Sequence, residues 1–119
     1  MSANPVADWT TGTEAIAFQA CGACRHVWYF RRGFCPACGS EDISTKSASG
    51  EGVVFATSVV TRAATAEARA HVPYAVVLVD AAEGFRMMGH GDRDLKIGDK
   101  VRARFEKFTG HIVPYFAKA

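Results

Sequence analysis

The sequence predicts a mainly β protein in which a small metal-bound module precedes a closed β-barrel. Two observations support this prediction. All four cysteines of the 119-residue chain lie between positions 21 and 38, in two C-x-x-C pairs. After residue 52, short segments rich in β-branched and aromatic residues alternate with turn signals, which is typical of a sandwich or a barrel.

The first element, residues 1–15, is expected to be an arm or a short helix. It has neither a basic start nor a long apolar run, so we predict no secretory signal, and no stretch reaches the roughly 20 apolar residues of a membrane span. These features favour a reducing cytoplasm and exclude a membrane as partner. Trp9 is interpreted as a residue that either docks on a partner or covers the barrel.

Residues 16–42 are predicted to form a rubredoxin-like zinc ribbon. Its proposed metal ligands are Cys21, Cys24, Cys35 and Cys38. Four thiolates suit tetrahedral zinc, and such a site is structural because it leaves no open position for substrate. Structural zinc contributes about 10–16 kcal/mol of apparent binding free energy in small peptides. Gly39 follows the second pair and can adopt positive φ, whereas Arg25 occupies the equivalent place after the first, so the two halves are not identical.

Other uses of the four thiols remain open at this point. Two disulfides would need an oxidising compartment. A redox C-x-x-C needs only one pair and normally accompanies a βαβ pattern, which the sequence lacks. Iron in a rubredoxin-like site would use the same four ligands and would carry electrons, which zinc cannot do.

The segment between the cysteine pairs carries candidate binding residues. Residues 27–30 (VWYF) favour a strand and residues 31–33 a turn. The aromatic side chains either form an exposed partner surface or pack between ribbon and barrel. The candidate partner surface consists of Trp28, Tyr29, Phe30, Arg31 and Arg32.

Residues 43–51 are polar and serine-rich, and are predicted to be a linker with a short strand near Ile43. Residues 52–119 then form the barrel. Its predicted strands are 53–61, 74–80, 85–89, 101–105 and 112–116, with a helical turn or ordered loop at 64–72. Residues 74–80 are apolar enough to be buried on both faces, and Pro114 indicates an edge or rim position. Five strands favour an OB-fold that lacks its usual helix between the third and fourth, with a small sandwich as the alternative.

Several short motifs occur in register along nearly the whole chain. They are the first C-x-x-C pair, CPACG at 35–39, GEGVV at 50–54, PYAVVLVD at 73–80, EG at 83–84, LKIGDKV at 95–101 and PYF at 114–116. Together they resemble the zinc-ribbon/OB-fold family known as domain of unknown function thirty-five, described as acyl-CoA-associated. One departure is the short N-terminal arm, because many relatives have a longer helix before the ribbon.

The resemblance implies a non-catalytic accessory subunit. Such a protein binds a thiolase-like enzyme, such as a thiolase, an acyl-CoA synthase or an aldolase, and helps to hold acyl-CoA as a shared ligand. The resemblance thus makes the partner surface at residues 28–32 a candidate acyl-CoA surface as well. The candidates for binding the phosphates of coenzyme A are Arg31, Arg32, Arg62 and Arg86. The partner carries the catalytic residues, which agrees with the dispersed positions of His71, His90 and His111 here.

The alternative function is a nucleic-acid-binding module, because ribbons and OB-folds both serve that purpose elsewhere. It is disfavoured by a net charge of only +2. It would also need aromatic side chains stacked in a basic groove, whereas Phe55, Phe85 and Phe105 lie in apolar patterns that indicate the core.

Overall fold

The computed structural model describes residues 7–63 and 65–119, which form one three-stranded sheet and one closed five-stranded barrel. The strands are β1 (Ala17–Cys21), β2 (Val27–Trp28), β3 (Ile43–Ser47), β4 (Glu51–Val60), β5 (Tyr74–Ala81), β6 (Arg86–Gly91), β7 (Lys100–Phe108) and β8 (His111–Lys118). A four-residue helix, α1 (Ala66–Arg69), lies between β4 and β5, within the segment predicted to be a helical turn. The mainly β architecture is therefore confirmed.

The ribbon sheet has the order β2-β1-β3 and is antiparallel throughout. The short strand predicted near Ile43 is confirmed as β3, which pairs with the whole of β1, so the predicted linker at 43–51 shrinks to residues 48–50. Ile43 and Thr45 are half-buried in this strand, so its alternation favours sheet formation despite the polar composition. The strand predicted at 27–30 is shorter than expected, because the chain leaves the sheet after Trp28 on its way to the second cysteine pair.

The barrel has the strand order β4-β5-β6-β8-β7, with β7 returning to β4. Its pairs are antiparallel except for β6 and β8, which run parallel. Residues 92–99 connect β6 to β7 by turns, as predicted for an OB-fold without its usual helix. Pro114 was expected at an edge or rim, but its strand, β8, lies between β6 and β7 in the barrel. Strand β8 pairs with β6 only at Tyr115 and Phe116, so Pro114 precedes the residues of this short seam.

Two burial predictions for the barrel are wrong. Strand β5 is not buried on both faces: Ala75, Val77 and Val79 point inward and are buried, whereas the residues between them are half-exposed because the barrel has a single interior. Phe55 was expected in the core but is 44% exposed. A β-bulge between Val54 and Ala56 accounts for this, since it shifts the register at Phe55.

Ribbon and barrel share one hydrophobic core. Ile16 and Phe18, from the start of the ribbon, pack in the same cluster as the inward residues of the barrel. The rings of Phe18 and Phe85 stack with centroids 5.0 Å apart. Apolar packing therefore holds the two modules together. Residues 48–50 form the short covalent connection between β3 and β4.

The N-terminal region forms a single 3-10 turn, Trp9–Thr11, after the capping residue Asp8. Residues 1–6, part of the predicted arm, lie outside the described residues. Trp9 packs against the shared core, which matches the prediction that it covers the barrel. Within the described ranges no helix has the length and apolar character needed to cross a bilayer.

Candidate metal centre and adjoining surface

The four cysteines converge at the end of β1, and their Sγ atoms all lie within 4.8 Å of one another. The separations Cys21 to Cys38 and Cys24 to Cys35 are both 3.6 Å, and none of the four forms a disulfide. Four sulfurs held about 2.3 Å from one zinc in a tetrahedron are about 3.8 Å apart. The set therefore fits a single tetrahedral metal ion and excludes the paired-disulfide interpretation.

Each cysteine pair forms a turn in which backbone N–H groups point at the first sulfur. The N–H groups of Ala23 and Cys24 donate to Cys21 Sγ at 3.3 and 3.4 Å. In the second pair, the N–H groups of Ala37 and Cys38 donate to Cys35 Sγ at the same distances. These donors stabilise thiolates, which are the form that binds metal.

The residue after each pair has left-handed backbone geometry. Gly39 has a φ of 81°, as the sequence predicted, and Arg25 has a φ of 67° although it carries a side chain. The N–H groups of Arg25 and Gly39 donate to the carbonyls of Cys21 and Cys35, at 3.0 and 2.9 Å. The two turns thus share one geometry, despite the difference in sequence.

The thiols have divergent pKa values because backbone N–H groups and neighbouring thiols act on them unequally. The N–H of Cys24 is the main cause that lowers the pKa of Cys21 to about 6. For Cys38, the N–H of Ser40 favours the thiolate, but the neighbouring thiols and burial outweigh it and raise its pKa to about 12. Four negative sulfurs in this space require a cation, which is what a bound metal supplies.

A small core supports the metal centre from inside the ribbon. Trp28 is buried against Cys21 and Cys35, with Ile43 packed alongside. Its indole N–H donates to Gln19 Oε1 at 2.8 Å, and the N–H of Arg32 donates to the same oxygen at 2.7 Å. This buried amide ties β1 to the segment between the cysteine pairs.

The structure separates the aromatic residues that the sequence grouped as one surface. Trp28 belongs to the ribbon core. Tyr29 is half-buried at the junction, where its hydroxyl accepts from Trp9 Nε1 at 2.8 Å and its ring stacks on Phe85 at 5.7 Å. Burial raises the pKa of Tyr29. Phe30 is 75% exposed and Phe34 is 52% exposed. The sequence interpretation missed Phe34, although it adjoins Cys35.

The candidate arginines occupy different positions. Arg31 lies 3.7 Å from the buried carboxylate of Asp8. Arg32 and Arg86 line a cleft of about 290 Å³ between ribbon and barrel, together with Phe30 and Phe85. Arg62 is outside this cleft and lines a separate depression beside α1.

One of these cleft residues, Arg86, has further contacts on the barrel. Arg86 Nε donates to Asp80 Oδ1 at 2.6 Å, and its guanidinium carbon lies 3.5 Å from the Phe55 ring centroid. Elsewhere on the barrel, basic side chains of β7 and β8 face carboxylates. The pairs are Arg102 with Glu51, Arg104 with Glu106 and Lys118 with Asp99.

Two histidines that the sequence treated as dispersed meet in one ring cluster. His71 and His90 both contact the Phe108 ring, at centroid distances of 4.7 and 4.4 Å. His90 also stacks on Tyr74 at 5.1 Å. Burial, and secondly the charge of His71, lower the pKa of His90. The cluster joins the α1 segment to the barrel, which no local sequence pattern reveals.

Two family models match the chain, and the boundary between them falls within β3. The model for the ChsH2 rubredoxin-like zinc ribbon domain matches residues 14–44. The model for the ChsH2 C-terminal OB-fold domain matches residues 45–106. The second match alone covers more than half of the 119 residues.

Two solved structures are similar over most of the chain. The first is described as an Ltp2-ChsH2(DUF35) aldolase; it is 27% identical with a TM-score of 0.73, over 87% of this chain and 84% of that one. The second is a protein of unknown function from the DUF35 family of Sulfolobus solfataricus. It is 13% identical with a TM-score of 0.60, over 88% of this chain and 76% of that one, which shows a common fold. No curated protein matches the sequence.

Proposed function

The chain belongs to the ChsH2 family of zinc-ribbon and OB-fold proteins, and from this membership we propose that it is a non-catalytic accessory subunit of a thiolase-like acyl-CoA enzyme. The similarity of 87% of the chain to a structure described as an Ltp2-ChsH2(DUF35) aldolase supports a partner of this kind. The four-cysteine site is closed once it holds zinc, so its role is to shape the ribbon rather than to activate a substrate. The thiols must stay reduced to hold metal, which agrees with a cytoplasmic location.

The observation that carries the proposal is the exposed pair Phe30 and Phe34, at 75% and 52%. Large aromatic side chains in solvent are unfavourable in a monomer and are frequent anchors in interfaces. Both lie on the segment between the cysteine pairs, which the metal and the Gln19 hydrogen bonds fix in place. A pre-ordered aromatic surface binds with a small loss of conformational entropy.

We assign acyl-CoA to the cleft between ribbon and barrel. Its arginines, Arg32 and Arg86, suit phosphate oxygens, and the exposed ring of Phe30 offers apolar surface to the pantetheine arm. Arg86 already contacts Asp80, so Arg32 supplies most of the uncompensated positive charge. This cleft adjoins the proposed partner surface through Phe30, so a ligand there would contact both proteins.

The nucleic-acid alternative has less support. A single-strand site would need exposed aromatic side chains within a basic groove. Phe85 is buried and Phe105 packs against the core, which leaves Phe55 as the exposed member of the three. The basic side chains of β7 and β8 face carboxylates, which reduces their attraction for phosphate.

The test is co-purification of the tagged, zinc-loaded chain from its own cells, with mass-spectrometric identification of what it binds. We expect a thiolase-like enzyme whose acyl-CoA activity falls when the chain is removed. The double variant Phe30→Ala, Phe34→Ala is expected to weaken the complex at least roughly thirtyfold, as for hot-spot residues. Ile97→Ala, which removes another exposed apolar side chain (73%), is the control and should bind normally.

Two outcomes would contradict the proposal. One is that the partner enzyme keeps full activity and solubility without this chain. The other is that the double variant binds the partner as well as Ile97→Ala does. For the cleft, coenzyme A titrated into the purified complex should bind less tightly to the Arg32→Ala variant, whereas Arg62→Ala should leave affinity unchanged.

A further inference from the structure

Each cysteine turn has one buried and one exposed cysteine. Cys21 and Cys35, the first of each pair, are only 3% and 0% exposed. The Sγ atom of each also accepts two backbone N–H groups of its own turn. Cys24 and Cys38, the second of each pair, are exposed. Because exposure helps to determine which thiolates are oxidised, a dissolved oxidant reaches the metal centre first at Cys24 and Cys38.

Short sulfur contacts cross from one turn to the other. Cys38 Sγ lies 3.6 Å from Cys21 Sγ, and Cys24 Sγ lies 3.6 Å from Cys35 Sγ. Each exposed cysteine therefore has the buried cysteine of the other turn as a near neighbour. A disulfide has an S–S length of about 2.05 Å, so each pair needs to approach by only about 1.5 Å to bond. No other thiol of the chain competes, because the sequence contains only these four cysteines.

We propose that the metal centre is a peroxide-sensitive switch, in which oxidation bonds Cys21 to Cys38 and Cys24 to Cys35 and releases zinc. The oxidant is a hydroperoxide, of which hydrogen peroxide is the simplest. In the reduced state the same four thiolates hold the metal, so the two states exclude each other. The proposal concerns the metal centre of this chain alone and is independent of the accessory function.

Each disulfide forms in two balanced steps. The Cys38 thiolate attacks one oxygen of hydrogen peroxide, the O–O bond breaks, and a sulfenic acid forms as hydroxide leaves. The Cys21 thiolate then attacks the sulfenic sulfur, the S–O bond breaks, and a second hydroxide leaves. The two sulfurs lose two electrons, which reduce one peroxide to two hydroxides. Cys24 and Cys35 react in the same way with a second peroxide, after which no thiolate is left to hold zinc.

The crossed pairing keeps the ribbon closed after zinc leaves. The bond between Cys24 and Cys35 closes a loop of residues 25–34, which carries the exposed phenylalanines, and the bond between Cys21 and Cys38 encloses that loop. Disulfides within each C-x-x-C pair would instead leave the two turns unconnected. We therefore expect the oxidised, zinc-free chain to retain the pairing of β1 with β3, and to rebind zinc after reduction.

The test treats the zinc-loaded full chain with hydrogen peroxide and follows zinc release with a chromogenic chelator. We expect loss of one zinc per chain, and recovery when a thiol reductant and zinc are added. Trypsin cuts after Arg25 and Arg32, which separates the two cysteine pairs. Crossed disulfides should therefore join the peptide that ends at Arg25 to the peptide that begins at Gly33, and fragmentation then assigns the partners.

Two further measurements follow the order of events and the state of the ribbon. Dimedone, which traps sulfenic acids, should label Cys24 and Cys38 before Cys21 and Cys35. Amide hydrogen exchange of the oxidised chain should show retained protection in β1 and β3. Met88 is 58% exposed and is a second target for peroxide. Met88→Leu removes that target and is the control, so its zinc release and disulfide pattern should equal those of the wild type.

Several results would overturn the proposal. One is retention of zinc under peroxide that fully oxidises Met88, and another is loss of zinc release in the Met88→Leu variant. Disulfides within each pair, or any pairing other than the crossed one, would refute the predicted chemistry. First labelling of Cys21 or Cys35 by dimedone would contradict entry of the oxidant at the exposed cysteines. Loss of amide protection in β1 and β3 after oxidation would show that the disulfides do not keep the ribbon closed.

Discussion

The ribbon and the barrel achieve order by different means, and they meet in a single core. The barrel buries a continuous set of apolar side chains, among them Val77, Val79 and Phe116, none of which is more than 1% exposed. The cysteine end of the ribbon buries little more than Trp28 beside Cys21 and Cys35, and depends on metal for the rest. Its other side is held by the barrel through Phe18. The comparison indicates that the metal orders the cysteine end of the ribbon, whereas the barrel orders its base.

Removal of the metal site should produce the largest difference in order between the ribbon and the barrel. Cys35→Ser takes away a fully buried ligand, so we expect loss of zinc and loss of order in the cysteine turns. The barrel core contains no metal ligand and should remain folded. Amide hydrogen exchange should therefore show loss of protection at residues 21–39 and retained protection in β5 and β8.

Chelation of zinc from the wild type is the control for this variant and should produce the same pattern. One cooperative loss of protection over the whole chain would show that the barrel depends on the metal as well. Full protection of the cysteine turns without metal would contradict the structural role of zinc.

Truncation of the shared core should affect both regions. Phe85 is 4% exposed, and its ring stacks on Phe18 and Tyr29 of the ribbon. Phe85→Ala is expected to lower the free energy of unfolding by about 3–5 kcal/mol, because it leaves a cavity where the modules meet. Urea denaturation of the zinc-loaded protein measures this. Phe55→Ala, at a 44% exposed position, should cost far less, and equal losses would argue against a shared core.

Local features were predictable from the sequence, whereas contacts between residues far apart in the sequence were not. The cysteine spacing and the alternation in β7 each reflect a local geometry, so the metal ligands and the barrel strand were both identifiable. A short strand was predicted near Ile43, but the polar composition hid its extent to Ser47, which depends on pairing with β1. Phe55 looked like core because alternation ignores bulges.

Functional residues show the same limit. The separation of Trp28, Tyr29 and Phe30 into ribbon core, junction and surface depends on where the barrel lies, which periodicity does not encode. The contact of His71 and His90 through Phe108 likewise joins three separate segments.

That histidine cluster gives the barrel a pH dependence that should not involve the metal. Burial and His71 lower the pKa of His90, so the unfolded chain takes up the proton more readily than the folded one. The free energy of unfolding should therefore fall as the pH drops through the ordinary histidine value, about 6.5. His90→Gln should reduce this slope in urea denaturation at pH 5.5–7.5, by less than the effect of Phe85→Ala. An unchanged slope would assign the acid sensitivity to other groups.

The smallest expected effect separates the two cysteine turns. Arg25 has a φ of 67°, which costs a residue with a side chain about 1 kcal/mol, whereas Gly39 adopts a φ of 81° freely. Arg25→Gly should thus stabilise the zinc-loaded ribbon by up to about 1 kcal/mol, and Gly39→Ala should destabilise it by a similar amount. A methyl group at Gly39 would meet no atom within 4 Å, so the backbone alone accounts for its cost. Zinc competition against a chromogenic chelator measures both variants. If the two shift zinc affinity in the same direction, the shared left-handed geometry does not limit the stability of either turn.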